Sequence, residues 1–286
     1  MLWLVSAQLV NGIAIGMIYA LMSFGLSIIK GLLNIPNFAH GALYALGAYI
    51  CYSAVSMGLP FALGLLAAFA GAALAGWALQ RFAIQPASKS GYLAQLVTLF
   101  GAALVIEQML LIGWGTIGLS YSPPPLLRGA VNLGFTVVPK YIAFASVFSA
   151  LVIVSVWLLI ERTKFGAYLR AGIERPDTTR ALGVNVDLLL GVGMMMGAGL
   201  AGLAGGLALP LVGATSTMGG DMLGIAFVVL VIGGLGSLYG SVAAGVLVGV
   251  VQSLTAIAAP AASTAIIYAA MIGILLFRPQ GLFGER

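Results

Sequence analysis

The run Leu188-Leu-Leu-Gly-Val-Gly-Met-Met-Met-Gly-Ala-Gly-Leu-Ala-Gly-Leu-Ala-Gly-Gly-Leu-Ala-Leu-Pro-Leu-Val212 carries no charge from end to end. About 20 apolar residues in a helix cross a hydrocarbon core of about 30 Å, and this stretch is longer than that. Apolar runs of the same kind recur near 6–29, 38–57, 60–80, 93–112, 141–160, 222–236, 241–259 and 262–277. Of the 286 residues, 62% are hydrophobic and only 7% are charged, against roughly a quarter in soluble domains. A soluble globule is excluded, because so few polar side chains cannot cover its surface. The aperiodic Gly excludes collagen, and the single Cys51, set in an apolar run, excludes a disulfide scaffold. The chain is expected to be all-α: a polytopic transmembrane helical bundle of eight or nine spans, forming one domain over 1–286.

The segment 222–236 is short and runs into Gly233, Gly234, Gly236 and Gly240. It reads as a broken or re-entrant helix, tolerable only where neighbours replace its lost hydrogen bonds. Eight full spans plus a half-helix therefore fit as well as nine. Met1–Ala20 has no basic residue before its apolar stretch and no cleavage pattern, so it is expected to be the first span, not a removable signal. With an outside start and nine crossings, Lys30, Arg81, Lys89, Arg162, Lys164, Arg170, Arg175, Arg180, Arg278 and Arg286 share one side. Only Arg128 and Lys140 fall on the other. The basic side is normally cytoplasmic, which puts the N-terminus outside and the C-terminus inside.

Small residues repeat at four-residue spacing in Gly12/Gly16, Gly202/Gly206 and Gly245/Gly249, a pattern that lets helix backbones approach closely in lipid. Gly41–Ile50 and Gly240–Val250 are loosely alike, which is too little to establish an internal repeat.

Between Glu161 and Asp187 lie nine of the nineteen charges, formed by 12 Lys/Arg and 7 Asp/Glu. Phe165, Leu169 and Ile173 recur every fourth residue, predicting an amphipathic helix along the membrane surface or against a partner. A very short second helix is expected to follow. Pro176 suits its first position, Asp177 its positive first turn, and Gly183 the left-handed residue past its end. Alone in water such a helix is unstable, so it is expected to rest in something or to be an ordinary solvated loop.

The runs Glu161-Arg-Thr-Lys-Phe-Gly166 and Pro176-Asp-Thr-Thr-Arg-Ala-Leu-Gly183-Val-Asn-Val-Asp187, with Arg170-Ala between them, resemble the cytoplasmic loop of the branched-chain amino acid type of ABC transporter permease. That family carries Glu-Ala-Ala-x-x-x-Gly there; Asp177, Thr178, Thr179 and Gly183 hold the matching positions. Asn34-Ile-Pro-Asn-Phe-Ala-His-Gly41-Ala-Leu-Tyr-Ala-Leu-Gly47 and Gly233-Gly-Leu-Gly-Ser-Leu-Tyr-Gly240 also match, and the likeness extends from about Asn11 to Gly281. The resemblance implies a permease domain in a bacterial inner membrane. It works with a homologous second permease, two cytoplasmic ATPase subunits and an extracytoplasmic substrate-binding protein. It also implies a coupling loop at 161–187, with Arg175, Asp177, Thr178, Thr179, Arg180 and Gly183 meeting the ATPase. The chain has no Gly-x-x-x-x-Gly-Lys-Ser/Thr phosphate loop, so ATP and Mg are expected to be used by the partners and no cofactor to be bound here. The substrate expected from the resemblance is a branched-chain or hydrophobic amino acid; relatives for urea, amides or other small organic solutes are the alternative.

Candidates for the translocation path or a gate are Asn37, His40, Glu107, Gly233, Gly234 and Gly236. Glu107 reads as the only acid within a span; a substrate ammonium, Arg128 or headgroup water could neutralise it. His40 could equally be a helix-start residue bonded to backbone. Asn11, Gln95, Thr98, Gln252 and Ser253 could line the path or bind helices together. The outer loop Gly113–Lys140, stiffened by Ser122-Pro-Pro-Pro125, is either a docking face for the binding protein or a spacer. An ion-coupled secondary transporter would usually show paired carboxylates, His or Lys within its spans, and a membrane enzyme a nucleophile, base or metal cluster. Neither pattern is present, and the net charge of +5 reflects cytoplasmic loops, with no nucleic-acid partner expected.

Overall fold

Residues 2–132, 134 and 136–284 are described by the computed structural model; Arg286, counted above among the cytoplasmic cations, lies outside them. Helix α1 (Leu2–Leu33) is followed by α2 (His40–Ser56) and α3 (Phe61–Leu79). A π-helical turn, Gln80–Ile84, carries α3 directly into the short α4 (Gln85–Ser88). Next come α5 (Tyr92–Trp114), an outer loop with strands β1 (Ala130–Asn132) and β2 (Val137–Pro139), and α6 (Lys140–Arg162). The charged connection forms α7 (Lys164–Glu174) and α8 (Pro176–Ala181), and α9 (Val186–Val212), α10 (Met218–Gly233), α11 (Leu238–Ala258) and α12 (Ser263–Phe277) complete the chain. The antiparallel pair β1–β2, three residues each, is a small departure from an all-α fold.

Seven helices among the described residues are long and apolar enough to cross a membrane, and α10 is shorter, in keeping with the break expected near Gly233. The chain is a multi-pass membrane protein. At 17 residues α2 is also short, which its apolar sequence does not announce. After α1, Asn34 takes a left-handed turn (φ 54°), a conformation Asn tolerates better than most residues, and Lys30 Nζ donates to its carbonyl at 3.1 Å and to its Oδ1 at 2.8 Å. The chain then re-enters the bundle before α2 begins. His40 Nε2 lies 3.1 Å from the Met22 carbonyl, well inside α1.

Two triplets of helices are built alike: α1–α2–α3 and α9–α10–α11 each consist of a long helix, a break, a short helix and a third span. The first helix of each packs along the third helix of the other, α1 on α11 and α9 on α3. Their directions are opposed, since Gly25 of α1 meets Gly197 of α9 while Leu32 meets Gly193. This inverted arrangement is common in transporters. It pairs α2 with α10, whereas the loose likeness seen in the sequence pairs α2 with α11.

The glycine spacings find their partners at these seams. A Cβ on Gly12 would lie 2.7 Å from Val250 Cα, and one on Gly16 2.8 Å from the Gly245 carbonyl, so α1 and α11 meet backbone to backbone. Gly202 meets Ala68 and Ala72 of α3, and Gly206 meets Leu65 and the buried Cys51. Without a hydrophobic force between helices in lipid, such close dispersion contact is what holds them. Side-chain bonds reinforce the α1–α11 seam: Tyr19 donates to Gln252 Oε1 at 2.7 Å and Ser253 to Gln8 Oε1 at 2.6 Å. Helices α5, α6 and α12 form the outer ring, with Leu93, Val97, Met109, Leu151 and Leu276 facing outward.

Candidate functional site

The charged connection is fixed to the bundle by its first helix. Gly166 of α7 lies against the Ile160 carbonyl at the end of α6, an approach any Cβ would block. Leu169 is buried, and Phe165 and Ile173 pack against the main core. The apolar face of α7 thus packs on this chain's own helices, because Gly166 allows α7 to fold sharply back. Arg170 Nη1 donates to the Ile160 carbonyl at 3.0 Å and lies 3.5 Å from Glu161 Oε2.

Helix α8 begins at Pro176, and Gly183 beyond its end adopts φ 83° and donates to the Arg180 carbonyl at 2.9 Å. Arg180 reaches Asp177 and Asp187, each at 3.4 Å. Both pairs are exposed and add little stability, but they align α8 with the start of α9, which Asn185 caps by accepting from Leu188 N at 3.0 Å. The two threonines part company. Thr178 is exposed, while Thr179 is buried and donates to the Ala171 carbonyl at 2.9 Å, fastening α8 to α7. The outward face is Asp177, Thr178 and Leu182, with Arg175 at the entry; Leu182, 79% exposed, was not anticipated as part of it.

The interior candidates do not form one cluster. Asn37 and His40 are fully buried at the start of α2, where Asn37 Oδ1 accepts from Ala39 N at 3.0 Å. Glu107 is half-buried on α5 of the outer ring. Arg128 does not pair with it but donates to the Pro123 carbonyl at 2.9 Å. Gly233, Gly234 and Gly236 make the tight α10–α11 turn, the last two at φ 100° and 91°. Leu282 N and Phe283 N donate to the carbonyls of Ile232 and Gly233, so the chain's end covers that turn. Beside it, a groove of about 1020 Å³ runs between the turn, α1 and α7, and the Glu161–Arg170 pair forms part of its wall.

A second cavity, about 470 Å³, opens between α1, α9 and α10; its lining includes Asn11, Tyr19, Tyr44, Met218, Asp221 and Met222. Asp221, in the first turn of α10, is an acid among the bundle helices that the sequence reading did not single out beside Glu107. The helix begins at Met218, four residues before the apolar run starts, because an acid in a helix's first turn is favoured by the positive end of its dipole. Hydropathy alone cannot see this start. The outer loop closes over the same region: Leu119 and Ala214, in the α9–α10 break, exchange hydrogen bonds of 2.9 and 2.8 Å, and Tyr121 stacks on Phe61 at 5.9 Å. No group of three or more His, Cys, Asp or Glu gathers among the described residues.

The permease component family of the branched-chain amino acid transport system matches residues 8–275. The chain is similar to the high-affinity branched-chain amino acid transport system permease protein BraD of Pseudomonas aeruginosa, at 31% identity over 97% of this chain and 95% of that one. It is also similar to LivH of Escherichia coli K12, named likewise, at 26% identity over 97% and 95%. The probable branched-chain amino acid transport permease protein LivH of Methanocaldococcus jannaschii is 30% identical over 92% and 88%. Among solved structures, that of PsaBC from Streptococcus pneumoniae in complex with Fab shares the fold, with a TM-score of 0.52 and 11% identity over 93% of this chain and 89% of that one. The matched span and the identity to BraD over nearly the whole of both chains agree, and the chain belongs to the branched-chain amino acid transport system permease family.

Proposed function

We propose that this chain is the membrane subunit of a binding-protein-dependent ABC importer that carries branched-chain or other hydrophobic amino acids inward. It pairs with a second, homologous permease, receives substrate from an extracytoplasmic binding protein and is driven by two cytoplasmic ATPases that bind ATP and Mg. The chain itself performs no chemistry and holds no cofactor. The N-terminus lies outside and the C-terminus in the cytoplasm, with 161–187 as the coupling loop.

The observation that carries this reading is α8. It is a helix of six residues that starts at Pro176 and is closed by the turn at Gly183, fastened on one side through Thr179 and bare on the other at Asp177, Thr178 and Leu182. A helix this short cannot hold its shape unaided, so its closing turn at Gly183 and its anchor at Thr179 suit an element that transmits force. Gly183 and Asn185 then lead straight into α9, at the centre of the bundle, so displacement of α8 bears on the second helix triplet. Coupling of this kind needs a rigid element biased from both ends. Asn37, His40 and the glycines of the α10–α11 turn belong, on this reading, to the moving framework of the path.

Reconstitution of the four kinds of subunit in liposomes tests the proposal. Leucine uptake is expected to require ATP and the binding protein. Solute movement by this chain alone, driven by a proton gradient, would overturn it.

A further inference from the structure

The cavity between α1, α9 and α10 holds one charged group, Asp221, and its placement is unusual. The neighbouring Gly219 packs against the Gly41 carbonyl in the first turn of α2, and α2 starts level with Met22, inside α1. Asp221 is therefore at membrane depth, yet it is exposed. The ion pairs among the described residues all lie on the charged connection, Arg170–Glu161, Arg180–Asp177 and Arg180–Asp187, so Asp221 takes part in none. A carboxylate at this depth cannot face lipid without heavy cost, and such residues characteristically face a water-filled path and its solutes. No Lys, Arg or His lines the cavity. Ile15, Ile18, Met222 and Ile225 make it largely apolar, with the Asn11 amide, the Thr215 hydroxyl and the Tyr19 and Tyr44 rings as the other polar features. Its volume, about 470 Å³, is that of a pocket for a small molecule.

We propose that this cavity is a transit site for the substrate, in which the Asp221 carboxylate receives the α-ammonium group and the wall of Met222 and Ile225 receives the hydrocarbon side chain. The inference deepens the functional reading above and rests on it. The lone carboxylate in an apolar wall favours a solute with an ammonium group beside an apolar body, and the substrate's own α-carboxylate, for which no cation lines the cavity, stays towards the water at its mouth. Asp221 gives no such advantage to a neutral solute such as urea. The contact lies downstream of capture by the soluble protein, so it governs the rate of passage more than the concentration at which uptake saturates.

The test is leucine uptake by the complete transporter in proteoliposomes, with Asp221→Asn, Asp221→Glu and Ile225→Trp compared at equal amounts of assembled complex. Loss of a charge-assisted contact in Asp221→Asn is expected to lower the maximal rate about tenfold or more, with half-saturation retained. Asp221→Glu should recover most of the rate. Ile225→Trp, which narrows the apolar wall, should shift uptake from leucine towards alanine and keeps the test decisive if Asp221→Asn fails to assemble. Wild-type leucine rates in Asp221→Asn, or an unchanged leucine-to-alanine ratio in Ile225→Trp, would overturn the site while leaving the importer reading intact. A wild-type transporter that carried urea but not leucine would sink the amino acid reading and this inference together.

Discussion

Helices α2 and α10 occupy matching places in the two inverted triplets, begin where Gly41 meets Gly219, and differ in what their first turns do. The first turn of α2 is sealed: His40 is fully buried, bonded to the Met22 carbonyl, with Ala42 and Leu43 also buried. That of α10 is open: Gly220 and Asp221 are exposed, and Asp221 lines the 470 Å³ cavity. One backbone plan has been used twice, once as framework and once as a lining. The open copy also lies beyond α9, the helix that α8 feeds directly. Scaffold symmetry therefore does not imply symmetric chemistry: both triplets line the cavity, but its one charged group comes from the half attached to the charged connection.

The sharpest way to break this comparison is at the crossing itself. A Cβ on Gly219 would lie 2.6 Å from the Gly41 carbonyl oxygen, with no room for either backbone to yield. Gly219→Leu is expected to abolish the folded protein, seen as loss of the monodisperse species after detergent extraction. Gly220→Ala, one residue on with nothing within 4 Å, should leave it intact. Equal yields from both would refute the crossing.

The next largest effect concerns the route into the open half. Gly183 needs a positive φ that Pro cannot adopt. Gly183→Pro should cut ATP-driven uptake at least tenfold and weaken ATPase co-purification while membrane insertion stays normal. Undiminished co-purification and uptake would detach α8 from the motor. For the sealed half, His40→Ala removes a buried ring and should cost about 2–4 kcal/mol of stability, read as a lowered Tm. If uptake fell without any change in Tm, His40 would have to be moved from framework to path. The smallest effect is expected at Glu107 on the outer ring. Glu107→Gln should change leucine uptake by less than about twofold, and a larger loss would bring α5 into the path.

Much of this was legible in the residues. The two ends of α8 follow from Pro176 at its first position and Gly183 past its last, because helix ends are decided within one turn. The close packing of Gly12/Gly16 with Gly245/Gly249 follows from spacing alone, although not which helix each pair meets. The seal over α7 was not legible: Phe165, Leu169 and Ile173 announce an apolar face, but the surface covering it is set by Gly166 sliding under Ile160. Asp221 was missed for a similar reason. A hydropathy window ends a span at the first acid, whereas the helix itself starts where its hydrogen bonds begin, at Met218.

Sequence by itself determined the solvent, the helices and the charged connection. Transfer of apolar side chains to lipid, helix caps and loop charge each act over short windows, and their free energies are additive along the chain. Tertiary structure alone decided that α2 starts inside the bundle, that the two triplets are inverted copies, and that of two equivalent helix starts one is buried and the other opens on a cavity. Those outcomes rest on dispersion contacts between segments far apart in sequence. Each such contact is too weak to be read from either segment, and only their sum selects one arrangement.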